Sequence, residues 1–160
     1  MVKSAGLRDN GMTGRREVAA AIVMDSSGRL LLQQRDSIPG ILYPGMVGLF
    51  GGHREGKETF LECVVRELHE ELSYYIHPER FELLWSYEGP DWDKSGAILR
   101  GEFYVVRDIP INEVTVTEGT LLVIDANAVG DLRAKLAPSA ARVLATYAAN
   151  QGTPPLKIGQ

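Results

Sequence analysis

Cysteine is almost missing from this chain, and an excess of positive charge is missing altogether. Cys63 is the only cysteine in 160 residues, so no intrachain disulfide forms and a stapled, secreted scaffold is not expected. The formal net charge is -4, which leaves no global basic field to attract the backbone of long nucleic acid. A small anionic ligand would have to be held by a metal or by local cations. No segment approaches the apolar length of a membrane span, and the opening "MVKSAGLRDNGMTGRREV" has no continuous apolar stretch. A cytoplasmic location without a membrane partner is the expectation. Repeats and low-complexity tracts are also lacking.

What is present suits one compact domain: 44% hydrophobic and 24% charged residues, near the average for globular chains. Residues 1–16 are polar and read as a flexible leader, residues 17–150 as the domain, and residues 151–160 as a tail. "VAAAIVMD" and "RLLLQQR" read as strands joined by a turn at "SSG". "DSIPGILYPGMVGLFGGHREG" holds two prolines and six glycines and reads as loop, with one short strand around Val47 to Phe50. "RFELLWSYEG", "AILRGEFYVV" and "TLLVID" have strand composition, with "GPDWDKSG" as a connecting loop. "ANAVGDLRAKL" and "PSAARVLATYAAN" read as helices. The implied class is α/β, a mixed central sheet between helical layers.

The most informative segment is "GGHREGKETFLECVVRELHEEL", read as a helix from about Glu58 to Leu72 after a glycine-rich turn. At about 100° per residue, Leu61, Val64, Val65, Leu68 and Leu72 share one side, where Cys63 is a structural thiol. Glu67, Glu70 and Glu71 cluster roughly 130° away. Like charges at this spacing repel by about 0.2–0.5 kcal/mol per exposed pair, so something should compensate them. Two readings compete: a hard cation such as Mg²⁺ or Mn²⁺ held by carboxylate oxygens, or a solvated acidic face partnered by Arg66 and Lys57.

The surrounding spacing favours the metal. From Gly52 the chain runs five residues to Glu58 and seven more to Arg66-Glu67-Leu68, then His69, Glu70-Glu71, Leu72, Ser73 and Tyr74. This string resembles the box of the Nudix hydrolase (MutT-like) family, G-x5-E-x7-R-E-U-x-E-E-x-G-U, where U is a bulky aliphatic residue. Seven defined positions match in register, including all four glutamates and the arginine. Ser73 and Tyr74 depart from the final glycine and aliphatic residue. Before the box, Val47 and Phe50 stand where many relatives have Trp and Pro.

The resemblance implies a Nudix-type α/β/α sandwich and a Mg²⁺-dependent pyrophosphohydrolase, with Mn²⁺ a substitute. Such an enzyme cleaves a phosphoanhydride in a nucleoside diphosphate linked to another moiety by attack of water on phosphorus. Candidate substrates are (d)NTPs, nucleotide sugars and ADP-ribose, the last suggested by Pro90 lying 16 residues beyond Tyr74. Glu67, Glu70 and Glu71 match the metal-binding positions, with the carbonyl of Gly52 an additional ligand. Arg66 would orient a neighbouring carboxylate, and Gly51, Gly52 and Glu58 would shape the motif. A base or extra ligand from outside the box is sought at Glu118 or Glu102, with Glu118 preferred. For substrate binding the candidates are Arg35 at a strand end, His53 after the glycine pair, and Trp92 in the connecting loop. The alternative is a Nudix-fold nucleotide sensor without catalysis. Many family members are dimers, so a homodimer stays open.

Overall fold

A computed structural model describes residues 14–151. The seven strands are β1 (Arg15–Met24), β2 (Leu30–Gln34), β3 (Val47–Gly48), β4 (Phe50–His53), β5 (Glu82–Pro90), β6 (Ile98–Val106) and β7 (Thr120–Ile124), with helices α1 (Phe60–Leu72) and α2 (Pro138–Gln151). One mixed sheet results, in the order β3-β2-β1-β6-β5, with β4 also paired to β1 and β7 to β2. The β1 and β6 strands run parallel, and the other pairings are antiparallel.

The alternation of side chains along β1 separates two cores. Ala19, Ala21 and Val23 face the layer that holds Val64, Leu68 and Leu72 of α1, whereas Ile22 and Met24 face the layer that holds Val143 and Leu144 of α2. In β6, Tyr104 and Val106 join the first core, and Phe103 and Val105 the second. A helix therefore covers each face of the sheet, as the α/β/α reading expects.

Strand β1 begins at Arg15, so the last two residues of the segment read as a leader are strand. Residues 1–13 and 152–160 lie outside the described part. The glycine-rich stretch contains two short strands, β3 and β4, and β5 continues through Pro90. "ANAVGDLRAKL" is not an α-helix. Residues 126–135 form a 3-10 helix with no side-chain cap at Asp125 and no buried residue, and Gly130 lies inside it, so neither capping nor packing supports α geometry there. Among the described residues no helix is long and apolar enough to cross a membrane.

Helix α1 starts at Phe60, two residues after the expected Glu58, because Thr59 is the N-cap. Its side chain accepts from the Glu62 N–H while Glu62 reaches back to the Thr59 N–H, a reciprocal capping box. The helix ends at Ser73, whose φ of 52° and ψ of 33° are left-handed. The serine keeps the backbone that the family's glycine would adopt.

Candidate active site

Antiparallel pairing of β4 with β1 sets Gly51 opposite Ala20 and Gly52 opposite Ala19, beneath α1. At Gly51, with φ of 154°, a Cβ would overlap the carbonyl of Ala19 and the backbone of Ala20. At Gly52 a Cβ would come within 2.5 Å of the Glu67 carboxyl carbon. The two glycines thus differ in role: the first allows strand pairing and the second seats a carboxylate.

Arg66 ties the motif together. Its Nε and Nη2 donate to the two oxygens of Glu58 at 3.0 and 2.6 Å, its Nη1 donates to Glu67 Oε1 at 2.8 Å, and Nη2 also reaches the His53 carbonyl at 3.1 Å. The bidentate pair with Glu58 is charge-assisted recognition that a lysine would not reproduce. These bonds raise the Arg66 pKa, and those from Arg66 lead the causes that hold the Glu58 carboxyl below its usual value. Glu58 therefore anchors Arg66, and Arg66 anchors Glu67.

Glu71 differs from its expected placement on an outward acidic face. It is buried, 7% exposed, and its Oε2 accepts the Gly51 N–H at 2.9 Å. The turn of α1 that carries it packs against β4, so the carboxylate points into the seam between helix and sheet. Burial, followed by the charge of Glu67, pushes the Glu71 carboxyl well above its usual pKa despite the Gly51 bond. The charges of Glu118 and Glu70 act in the same direction.

Glu118 comes close because its loop is fastened to the end of α1. The Thr117 N–H donates to the Glu71 carbonyl at 3.1 Å, and Gln33 Nε2 donates to the Glu118 carbonyl at 3.0 Å. Glu102, the other candidate outside the box, accepts the Tyr104 hydroxyl at 2.6 Å. Cys63 is fully buried, 3.6 Å from the Gly52 carbonyl, and burial leads the causes that push its thiol up to about 12.

A cleft of about 120 Å³ runs beside these groups, reaching Gly51, Gly52 and Glu71. Arg35 and His53 line it, and each has a buried polar atom, Nε and Nδ1 respectively, without a hydrogen-bond partner. Burial and then the charge of Arg16 lower the His53 pKa to about 4, so its imidazole is neutral near pH 7. Trp92, expected to bind a base, is not among the cleft residues. Its ring stacks on Trp85 at 5.2 Å, meets Tyr87 at 4.2 Å and lies under Arg142. Half-buried against the second core, the ring already spends one face on these neighbours.

The NUDIX domain family matches residues 14–146 of the chain. The chain belongs to the Nudix hydrolase family. Similar solved structures include the E. coli ORF135 protein, 24% identical with a TM-score of 0.69, covering 92% of this chain and 98% of that one. A MutT NUDIX hydrolase from Burkholderia pseudomallei is 24% identical with a TM-score of 0.64, covering 82% and 97%. The bifunctional NMN adenylyltransferase/ADP ribose pyrophosphatase from Francisella tularensis is 16% identical with a TM-score of 0.65, covering 89% of this chain and 43% of that one. No curated protein sequence matches the chain.

The residues of this Nudix chain fit a hard cation. All the candidate side-chain donors are carboxylates, Gly52 leaves room for one of them, and Glu71 stays buried among like charges that a cation would relieve. Among the described residues, no three potential ligands already stand together as a preformed metal cluster. Nη1 of Arg66 takes up Glu67 Oε1, so binding would redistribute that contact.

Sequence reasoning missed Arg16, Asp91 and Asp93. Arg16 Nε and Nη2 donate to both oxygens of Asp91 at 2.6 and 2.9 Å, and Nη2 donates to Asp93 Oδ2 at 2.9 Å. Arg16 and Asp93 line the cleft. The available signal is the pair of aspartates flanking Trp92, whose partner Arg16 falls in the segment that reads as a leader.

Proposed function

We propose that this Nudix hydrolase is a Mg²⁺-dependent pyrophosphohydrolase. It cleaves a phosphoanhydride bond in a nucleoside diphosphate linked to another moiety, by attack of water on phosphorus. The observation that carries this reading is the buried carboxylate of Glu71 held beside Glu67, with Glu70 and Glu118 adding charge around it. Such crowding is costly for a bare fold and useful for a divalent cation. A similar fold occurs in the bifunctional Francisella protein, which includes an ADP ribose pyrophosphatase and is complexed with AMP and a manganese ion.

Glu67, Glu70 and Glu71, with the Gly52 carbonyl, would hold the metal, and Mn²⁺ would substitute. When bound, a divalent ion polarises phosphate oxygens and lowers the pKa of a water. Arg66 acts through Glu67, fixing its carboxylate by the Nη1 bond, and Glu58 holds Arg66 in turn. Glu118 takes the proton of the attacking water or adds a ligand, a role supported by its charge acting on Glu71. Arg35 offers a donor to the substrate from the cleft wall.

The test is phosphate release, coupled to a phosphatase where needed, across (d)NTPs, nucleotide sugars, ADP-ribose and dinucleoside polyphosphates, with Mg²⁺ and with chelator. Metal-dependent turnover of one class supports the hydrolase and names its substrate. Saturable nucleotide binding without turnover of any class would overturn it in favour of a sensor.

A further inference from the structure

Among the described residues, three buried side-chain polar atoms have no hydrogen-bond partner: Arg35 Nε, His53 Nδ1 and Asp93 Oδ1. All three residues line the same cleft. Buried polar atoms are nearly always paired, so three orphans around one cavity mark a place built for a polar partner. The Asp93 side chain is only 8% exposed. Its other oxygen, Oδ2, accepts from Arg16, and two further contacts hold the backbone that carries the carboxylate. The Asp93 N–H donates to Asp91 Oδ1 at 2.9 Å, and the Tyr43 hydroxyl donates to the Asp93 carbonyl at 3.4 Å. This is a pre-set acceptor.

The charge of Asp93 repels a phosphate, so the part of the ligand it meets is neutral and carries a hydrogen-bond donor. Leu42, Leu49, Leu99 and Phe103 supply apolar walls suited to a flat ring. At about 120 Å³ the cavity lies below the ~300–1,000 Å³ usual for whole small-molecule ligands, so it takes one ring-sized portion. Because the cleft reaches Glu71, the rest of the molecule extends towards the glutamates.

We infer that Asp93 is a specificity-determining residue: its Oδ1 accepts an N–H from the nucleobase, with Arg16 holding the carboxylate and Arg35 and His53 completing the polar rim. This rests on the nucleotide reading given above and assigns the chemistry of the base it selects, one with an N–H directed at the carboxylate.

The full chain, in EDTA so that hydrolysis does not intervene, is titrated calorimetrically with the 5'-monophosphates of adenosine, guanosine, cytidine and uridine. The tightest binder is then compared with a ring analogue lacking every base N–H: purine riboside monophosphate for a purine, 2-pyrimidinone riboside monophosphate for a pyrimidine. Wild type should prefer the N–H-bearing base by about tenfold or more, as for a hydrogen bond to a charged group. Asp93→Ala should erase that preference. Asp93→Asn keeps the size and an acceptor for Arg16, so it tests the same point if the alanine variant does not fold, and it should narrow the preference. Equal binding of the analogue by wild type, undiminished preference in either folded variant, or no saturable binding of any monophosphate would overturn the inference. Turnover without preference dependent on Asp93 sinks this inference alone. Preference dependent on Asp93 without turnover of any substrate sinks only the hydrolase reading.

Discussion

At the scale of single residues, the site depends on carboxylates placed by the Arg66 guanidinium and by two glycines, Gly51 and Gly52. Glu70→Gln and Glu71→Gln should each lower kcat by about a hundredfold or more, because each removes a charge proposed to hold the metal. Thermal melting without metal should show little loss for either. For Glu71 this follows from its buried position beside Glu67, where the negative charge is unfavourable. Near-normal turnover in either variant would mean the ligand set is misassigned. The glycine pair gives a sharper contrast. Gly52→Ala pushes a methyl against the end of the Glu67 side chain, which can swing aside, so kcat should fall while the melting temperature stays close to wild type. Gly51→Ala meets the backbone of β1, which cannot yield, so the fold should be destabilised before any effect on chemistry is read. Equal melting losses in the two variants would contradict this division.

Among the elements, α1 is the one whose sequence and structure can be compared turn by turn. The capping box at Thr59 and Glu62 ends any extension towards Glu58, which is thereby free to pair with Arg66. At the other end, Ser73 holds a left-handed conformation that costs a non-glycine residue ~1 kcal/mol. Ser73→Gly should therefore raise stability by about 1 kcal/mol in urea unfolding. An unchanged midpoint would show that the serine side chain offsets its backbone strain. Box spacing and helical period were legible in the sequence, because both depend on residues a few positions apart. The face on which Glu71 lies was not. Which side of a helix is inner depends on the strand packed against it, and β4 presents Gly52, which leaves room for the Glu67 carboxylate, and the Gly51 N–H, which Glu71 accepts.

On the scale of the whole molecule, the buried Arg16–Asp91 pair joins the start of β1 to the β5–β6 loop, 75 residues away. Asp91→Ala removes a buried carboxylate and two charge-assisted bonds but leaves Arg16 its bond to Asp93, so it should cost about 2 kcal/mol, less than stranding the charge outright. The pair also gives stability a pH dependence. Burial pushes the Asp91 carboxyl up, but the bonds from Arg16 and from the Asp93 N–H outweigh it, and the folded value lies below the ordinary 3.8. A depressed carboxylate stabilises the fold above the unfolded value, and that contribution is lost as pH falls through the folded one. The difference in melting temperature between wild type and Asp91→Ala should therefore shrink on acidification below about pH 4. A gap independent of pH would assign Asp91 to packing alone.

The sequence by itself determined the family, the α/β class and the identity of the box carboxylates, because motif spacing and side-chain period are local properties of the chain. The tertiary structure alone decided that Glu71 is buried, that Glu118 lies by the box helix, and that Arg16, Arg35, His53 and Asp93 share one cleft. Each of these follows from contacts between segments far apart in the chain, as with Arg16 and Asp93, 77 residues from one another. Strand register and loop closure create such contacts, and no short window of residues encodes either.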